Sequence, residues 1–455
     1  MSSAPRTRFC PRSSPCPRAR ERVGLALIRG VREPCAPWLA VLAASLLVGA
    51  VAGAPALADP DDPTVTTPFG IARWFNPRTA PFIPVPEISV DPVNGTTLGL
   101  IPTWVTTNED RQVTRIVAPD ILHSEYFGWG MHARIYGYET ADQQWSLVTG
   151  IKERVEREFV GTYQIGRSRE TLWSFSGIVD YDIDGTPRFY GIGNHTPASA
   201  ESNYTAQESM GQVQAGLNVT HRWQLQYTAR LEVLDVLPGT LANINSIQAL
   251  FPDTRGTRKE MLNRLSVVYD SRDDISIPAR GTEWVAYYGL AGPDGIISDR
   301  YFRETGTDGR VFWPLGPDTV LATHVALRYL LDPHDVPFWA LSSVGGSQSV
   351  IGGEQTLRGF GEGRFYDDDY FATSVELRRR FLTIDAITTV LDLEVTPFLD
   401  LARVFSHRGE DPLESLHRVV GVGFRGVARP FVVGYLDLGY GSEGAAVYTG
   451  LNYPF

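Results

Sequence analysis

The sequence from Thr96 onward consists of segments of about 10 to 14 residues in which apolar and polar side chains alternate. Gly, Pro, Asp and Asn separate these segments, and no run of helical periodicity is long enough to indicate an ordinary helix. The last segment has one mostly apolar face, Val447, Thr449, Leu451, Tyr453 and Phe455, and an opposite face of Tyr448, Gly450 and Asn452. A period of two is that of a β-strand, so the chain is predicted to be all-β.

The segment at residues 391–401 favours a membrane barrel over a soluble β-sandwich. Its one face is apolar, whereas the other carries Asp392, Glu394, Thr396 and Asp400. A sandwich would bury the apolar face and expose the polar one, but a wide barrel turns the apolar face to lipid and encloses the polar face. Aromatic residues, 11% of the chain, can supply the interfacial girdles of such a barrel.

Counting the alternating segments predicts a transmembrane antiparallel β-barrel of about sixteen strands at residues 95–455. One of these predicted strands covers residues 144–158, and the last covers residues 445–455. An even number of strands places both ends of the barrel on the periplasmic side of an outer membrane.

Residues 1–58 have the features of a secretory signal peptide with an extended, Arg-rich n-region. An apolar run at residues 36–58 ends in Ala56, Leu57 and Ala58, which form an A-x-A cleavage site. The alternative is a membrane anchor, since about 20 apolar residues can span a bilayer, but Pro55 and the cleavage site favour removal. The three cysteines, Cys10, Cys16 and Cys35, precede this site, so the processed chain offers no thiolate for disulfides, metals or nucleophilic chemistry.

Residues 59–94 are Pro-rich and lack periodicity, which predicts an irregular periplasmic segment ahead of the barrel. The formal net charge of the whole chain is -11, and an acidic chain is a poor ligand for nucleic acids. The sequence also lacks the common nucleophile, zinc-protease and nucleotide motifs, so neither enzymatic activity nor a cofactor or metal is predicted.

A gap between predicted strands, at about residues 332–370, is far longer than ordinary connections, and such loops are commonly functional. It contains three consecutive aspartates at residues 367–369, for which a solvated charge cluster is favoured over a cation site. It also contains Arg358, Gly359 and Phe360, preceded by a leucine.

This L-R-G-F sequence and the run around it, residues 351–381, resemble the sixth extracellular loop and following strand of the BamA/TamA-type bacterial surface antigen family. The resemblance implies that the loop folds into the barrel and that Arg358 contacts acidic residues of the inner wall. Glu376 matches one acidic position, and Asp400 matches the F-x-D-x-G strand of the family, although Ala402 replaces its glycine. The alternation independently places Glu376 and Asp400 on the inner face. Arg358 is therefore expected to anchor the loop rather than to catalyse a reaction, and Gly359 either allows close backbone approach or is an ordinary turn glycine.

Two further stretches match the family, so that the resemblance spans residues 269–455. The first resembles the Y-D-x-R-D…P-x-x-G strand turn of the family and contributes Asp270, Arg272, Asp273 and Gly281. The second resembles the terminal signal by which outer-membrane barrels are recognised for insertion, with Tyr448, Gly450, Tyr453 and Phe455. Better-known members carry periplasmic POTRA domains ahead of the barrel, and residues 59–94 are too few to hold one.

The resemblance implies a barrel in the bacterial outer membrane that assists insertion or translocation of proteins, or of lipids, through a weak seam between its first and last strands. Pro102 and Pro454 lie near the predicted seam, where each removes a ladder donor. The expected partners are outer-membrane lipids, client proteins and a separate periplasmic protein. A passive pore and a structural surface antigen are the alternatives, since a barrel of this size can hold an aqueous channel.

Overall fold

The computed structural model describes residues 83–91, 93–109, 112–140, 142–292, 301–332, 336–386, 389–406, 409–429 and 432–455. The predicted signal peptide at residues 1–58 and residues 59–82 of the predicted irregular segment lie outside this part of the chain.

An antiparallel sheet closes into a barrel of eighteen strands, each paired with the next along the chain. The strands are β1 (Ile83–Asp91), β2 (Gly95–Thr107), β3 (Val113–Val117 and Asp120–Ser124), β4 (Gly128–Tyr138), β5 (Gln144–Lys152), β6 (Arg157–Ile165), β7 (Trp173–Asp184), β8 (Ser202–Asn218), β9 (Trp223–Pro238), β10 (Gly256–Asp270), β11 (Gly281–Ala291), β12 (Phe302–Gly316), β13 (Thr319–Leu330), β14 (Asp369–Ala386), β15 (Thr389–Phe405), β16 (His417–Ala428), β17 (Val432–Gly441) and β18 (Gly444–Leu451). The barrel predicted from the alternation is confirmed, with two strands more than expected.

One additional strand is β1, which occupies part of the segment predicted to be irregular, so that prediction is wrong for residues 83–91. Pro84 and Pro86 obscured it, but an edge strand can accommodate proline because one side of its ladder is unpaired. The other results from the predicted strand at residues 144–158, which is in fact two strands, β5 and β6. The turn between them contains no Gly, Pro or Asn, and Val155 itself takes a left-handed φ of 56°.

Side chains alternate between the two surfaces of the barrel wall as the sequence predicts. Polar residues such as Glu304, His324 and Arg328 are buried on the inside. Large apolar residues are exposed on the outside, among them Leu98, Trp129, Phe175, Leu225 and Trp284. The exposed apolar surface suits lipid, as in transmembrane barrels.

The last predicted strand is too long. Strand β18 ends at Leu451, and Asn452 takes a left-handed φ of 69°. Tyr453 and Phe455, predicted on the lipid face, instead pack inside the barrel, because a left-handed residue interrupts the extended backbone.

The two ends of the barrel differ. Turns such as that between β12 and β13 are short at one end, where β1 begins and β18 ends, whereas longer loops lie at the other. By the usual asymmetry of such barrels, the short turns are periplasmic and the long loops extracellular. The helices in the described ranges are short: an α-helical turn at Ile247–Leu250 and 3-10 turns at Ala198–Ala200, Pro252–Thr254 and Phe338–Ala340.

Within the described residues, no helix is both long enough and apolar enough to cross a membrane.

Long loops pack together at the extracellular end of the barrel. Phe189, Ile247 and Phe338, from three different loops, pack in one buried hydrophobic cluster with Phe302 and Leu330 of the wall. The ring centroids of Phe189 and Phe338 are 4.6 Å apart. The three loops are therefore held together and against the wall by an apolar core.

Candidate functional site

The longest loop in the described part of the chain connects β13 to β14. Its residues 336–368 fold back into the lumen and will be called the anchor loop. Its short strand Ser342–Val344 pairs antiparallel with Phe365–Asp367, so the loop is a closed hairpin-like unit. Leu357, Phe360 and Phe365 of the loop are buried in a cluster with residues of β13–β16. The loop is therefore packed against one side of the inner wall, as the family resemblance implies.

Arg358 lies at the centre of this contact and is fully buried. Its Nε and Nη2 donate to the two carboxylate oxygens of Asp400, at 2.9 and 2.7 Å, and its backbone N–H donates to Asp400 at 3.1 Å. Nη1 donates to Glu376 at 2.6 Å and to Asp437 at 2.9 Å. The bidentate contact with Asp400 is the geometry in which a guanidinium group binds a carboxylate most selectively.

The charges around Arg358 balance. Arg425 donates to Glu376 at 3.3 Å and also pairs with Asp437, and the Nε of Arg378 donates to Glu376 at 2.9 Å. Three guanidinium groups thus face three carboxylates, which offsets the desolvation that an isolated buried charge would suffer. The anchor cluster comprises these six residues: Arg358, Glu376, Arg378, Asp400, Arg425 and Asp437.

Two further features hold Arg358 in its charged form. Its guanidinium carbon lies 3.6 Å from the ring centroid of Phe398, a cation–π contact. Burial alone would lower the pKa of Arg358, but the carboxylates of Asp400 and Glu376 outweigh it and raise the pKa well above its usual range. The site therefore provides an ionic attachment for the loop, and its six charged residues include no nucleophile with an adjacent base.

Glycines allow the loop backbone to reach the wall. A Cβ atom on Gly439 of β17 would lie 1.8 Å from the carbonyl oxygen of Arg358. A Cβ atom on Gly359 would lie 2.7 Å from the backbone nitrogen of Gly441. Both are backbone contacts that cannot move aside, so the close-approach interpretation of Gly359 is the one this geometry supports.

We expect Gly439→Ala to displace the anchor loop and to destabilise the barrel by about 1–3 kcal/mol or more, because the added methyl group overlaps the Arg358 carbonyl. Urea unfolding of the purified barrel measures the effect. Gly434→Ala is the matched control, since a Cβ atom on this glycine of the same strand meets nothing within 4 Å. Equal midpoints for the two variants would contradict the close approach.

The structure brings Arg358 together with Glu376 and Asp400, which were singled out from the sequence, and with Asp437 and Arg425, which were not. A signal for Asp437 was available: an aromatic–Leu–Asp–Leu sequence occurs at residues 398–401 and again at residues 435–438. In both copies the aspartate lies on the inner face and accepts a hydrogen bond from Arg358. Arg425 had no comparable signal, because inward-facing arginines are common in this wall.

A second ionic group holds the other side of the loop and was also missed. Arg264 donates to the carbonyl oxygen of Ile351 at 2.9 Å, and Arg328 donates to that of Ala340 at 3.1 Å. Glu304 lies between the two arginines, at 2.8 Å from Arg264 and 2.9 Å from Arg328. The loop is thus attached to two parts of the inner wall.

The turn motif lies at the periplasmic end, away from Arg358. Arg272 donates to both Asp270 oxygens, at 3.0 and 2.8 Å, and to Glu283 at 2.8 Å. Asp273 accepts the N–H groups of two residues across the turn, each at 3.0 Å. Gly281 has a φ of 101°, and a Cβ atom there would meet a backbone oxygen at 2.2 Å. These contacts shape a turn whose Ile277 packs against Val427 and Val433 inside the barrel.

The residues of the predicted insertion signal are not brought together at one face. Tyr448 is buried and its hydroxyl donates to the carbonyl oxygen of Phe360, which ties β18 to the anchor loop. Gly450 lies against Tyr435, whose hydroxyl a Cβ atom would meet at 2.6 Å. Tyr453 and Phe455 lie in the lumen near its periplasmic mouth. Their role in insertion stays a prediction.

The sequence predicted that the three aspartates at residues 367–369 form a solvated charge cluster, and this prediction is wrong. Asp367 and Asp369 are buried, and Asp369 accepts the backbone N–H of Leu330 at 2.8 Å. In the described part of the chain, no group of three or more His, Cys, Asp or Glu residues is placed to hold a metal ion.

The barrel closes through a short seam between β1 and β18. Among the described residues, Val90 and Val447 are the one pair in register there, whereas β17 and β18 are paired over eight residues. Pro102, expected near the seam, faces Pro84 in the ladder between β1 and β2, because β1 rather than β2 is the first strand. A cavity of about 310 Å³ lies beside the seam, lined by Glu87 of β1, Thr449 of β18 and charged residues of β4–β7.

The Omp85 superfamily domain matches residues 173–426. No curated protein matches the chain. Among solved structures, the chain is similar to BamA from Haemophilus ducreyi lacking POTRA domains 1–3, with 15% identity, a TM-score of 0.46 and coverage of 77% of this chain and 74% of that chain. It is also similar to CdiB from Escherichia coli, with 11% identity, a TM-score of 0.44 and coverage of 81% of this chain and 61% of that chain.

Proposed function

The chain belongs to the Omp85 superfamily of outer-membrane β-barrels, and from this premise we propose that it assists the insertion or translocation of proteins at the outer membrane. Its partners would be client proteins with unpaired strands, the surrounding lipids and a separate periplasmic protein that delivers clients. The proposal assigns no enzymatic step and no cofactor to the barrel.

The observation that carries the proposal is the weak seam. One in-register pair, Val90 and Val447, joins β1 to β18 in the described residues, although β1 is paired with β2 over nine residues. Pro84 and Pro86 lack an N–H group, so this edge of β1 has fewer donors for a partner strand. A junction with so few ladder contacts opens at a smaller free-energy cost than other junctions of the wall.

An opened seam would expose two unpaired strand edges. Such edges template an incoming strand by backbone hydrogen bonding, which is tolerant of side-chain sequence and therefore suits many clients. Since the outer membrane has no nucleotide supply, the work must come from binding and strand exchange. The anchor loop keeps the lumen filled while the wall opens sideways.

The passive pore is the weaker alternative. The anchor loop and the extracellular hydrophobic cluster occupy the lumen, so a continuous aqueous path across the barrel has little support. A purely structural surface antigen would need neither a weak seam nor an ionically attached loop, and it remains an outcome of the following experiment.

Depletion of the protein in its native host tests the proposal through quantitative proteomics of the outer membrane. We expect a loss of other barrels, or of proteins secreted across this membrane, by several-fold while periplasmic proteins keep their levels. Re-expression of the wild-type chain should restore them. An unchanged protein content with altered lipid asymmetry would indicate that the barrel transports lipids instead of proteins. No change in either would overturn the transport role.

A further inference from the structure

The residues after β18 leave the barrel wall and enter the lumen. The N–H of Asn452 still donates to Val433 at 2.7 Å, as a ladder bond would, but its left-handed φ then redirects the chain. Residues 453–455, called the docked segment below, consequently do not continue the seam. Extended along β18, they would lie opposite the first residues of β1, because Val447 faces Val90 and the strands are antiparallel.

Tyr453 occupies a defined place on the inner wall. The guanidinium carbon of Arg378 lies 3.6 Å from the centroid of its ring. Its hydroxyl donates to Glu394 at 3.1 Å, and its ring packs with Val427 and Val433. A tyrosine that pairs its ring with a cation and its hydroxyl with a carboxylate is held by geometry as well as by burial.

Phe455 fills the neighbouring position. Its ring lies nearly parallel to that of His324, with an angle of 15° and a centroid separation of 5.1 Å. It packs against Phe312 and Ala322, and only 7% of it is exposed. The docked segment thus covers wall residues of β12–β15 at the periplasmic mouth.

The docked segment is connected to the anchor loop by two routes. The loop's Ser349 donates its backbone N–H to the carbonyl oxygen of Pro454 at 3.0 Å. Arg378, under Tyr453, donates its Nε to one oxygen of Glu376, whose other oxygen accepts from Arg358 at 2.6 Å. Glu376 is therefore shared between the loop attachment and the site that holds the segment.

Arg378 connects the docked segment to the anchor loop, because it contacts Tyr453 of the segment and Glu376, which binds Arg358. It is buried, and its Nη1 and Nη2 have no hydrogen-bond partner among the described residues. Its burial is therefore balanced by Glu376 and by the faces of the aromatic rings around it. Removal of Tyr453 takes away the ring that lies closest to this buried cation, and disturbance of Glu376 removes the carboxylate to which Arg378 donates.

We propose that the docked segment and the anchor loop form one two-state latch, in which the segment is held inside only while Arg358 is attached to the wall. Release of either element weakens the attachment of the other, because coupling between two sites is reciprocal. The latch goes beyond the transport role proposed above and does not depend on it.

Two single-cysteine probes test the latch in the purified full-length barrel, with Cys10, Cys16 and Cys35 replaced by serine. Ala322→Cys lies beneath the docked segment. Ser374→Cys lies beneath the anchor loop, where the Ser374 hydroxyl is 3.1 Å from that of Thr356. Both positions are buried, so a hydrophilic maleimide should react slowly with each in the otherwise unchanged protein.

The double variant Tyr453→Ala/Phe455→Ala should increase the labelling rate of both probes at least about tenfold, which corresponds to a change of 1.4 kcal/mol in the opening equilibrium. Arg358→Ala should do the same. Arg379→Ala is the control, since this arginine follows Arg378 but is exposed on the outer face. Faster labelling of Ala322→Cys alone in the double variant would overturn the coupling, and rapid labelling of both probes in the unchanged protein would overturn the docking.

The double variant substitutes no residue of the anchor cluster, so it tests the coupling even where Arg358→Ala fails to fold. Labelling of a purified barrel involves no client. Its result is therefore separate from that of the depletion experiment.

Discussion

Arg358→Ala is expected to destabilise the barrel by about 3–5 kcal/mol, the usual effect of removing one partner from a buried ion pair. The reason lies with Asp400. The Arg358 guanidinium donates two of the three hydrogen bonds that the Asp400 carboxylate accepts in the described part of the chain, and the third comes from the backbone N–H of the same residue. The variant keeps that backbone bond but leaves a fully buried carboxylate without its cationic partner. Unfolding in urea, and the temperature at which the folded barrel loses its compact gel mobility in detergent, measure the loss.

Removal of the orphaned charge provides the sharpest control for this effect. Arg358→Ala/Asp400→Asn should regain part of the lost stability, because an amide is cheaper to bury than a carboxylate. Arg358→Lys should rescue only partly, since an ammonium group cannot form the bidentate contact. Equal stability of Arg358→Ala and Arg358→Ala/Asp400→Asn would show that the Asp400 contact does not determine the effect.

Arg358→Ala should also change the conduction of ions through the barrel. A loop released from the wall no longer fills the lumen, so we expect larger and more frequent single-channel openings than in the unchanged barrel. Gly434→Ala, which leaves the loop attached, should conduct as the unchanged protein does.

The anchor was predictable because two independent signals coincided on it. The L-R-G-F sequence indicated the arginine, and the period of two placed Glu376 and Asp400 on the inner face. Asp437 has the same alternation, but no local pattern shows that residues of β14, β15 and β17 meet the same arginine inside the barrel. Contacts across a barrel depend on strand number and register, which local patterns do not determine.

The two errors near the chain's seam have a common physical origin. Proline in β1 and the left-handed Asn452 after β18 both depart from ideal strand patterns, and both lie where the sheet has an incomplete ladder. An edge strand tolerates such residues because fewer of its backbone groups are paired. The alternating pattern of a strand is therefore interrupted at the seam for the same reason that the seam is weak: its backbone groups are incompletely paired.

Because the seam is weak, a covalent bond across it should have the largest functional effect of any change considered. In a chain whose three cysteines are replaced by serine, we expect Val90→Cys/Val447→Cys to form a disulfide, since residues facing each other in an antiparallel pair are about 4.5–5.5 Å apart at Cα. Oxidation should reduce rescue of the depleted strain by at least about tenfold, and a reducing agent should restore it. The amounts of other outer-membrane barrels provide the measurement.

The matched control places the same bond where the wall is not expected to open. Leu436→Cys/Thr449→Cys joins β17 to β18 at a pair within their continuous ladder, so it should leave rescue unchanged in both redox states. Loss of rescue with both disulfides would indicate damage from cross-linking itself. Full rescue by the oxidised Val90→Cys/Val447→Cys barrel would refute transport through the seam, because a covalently closed wall cannot exchange strands with a client.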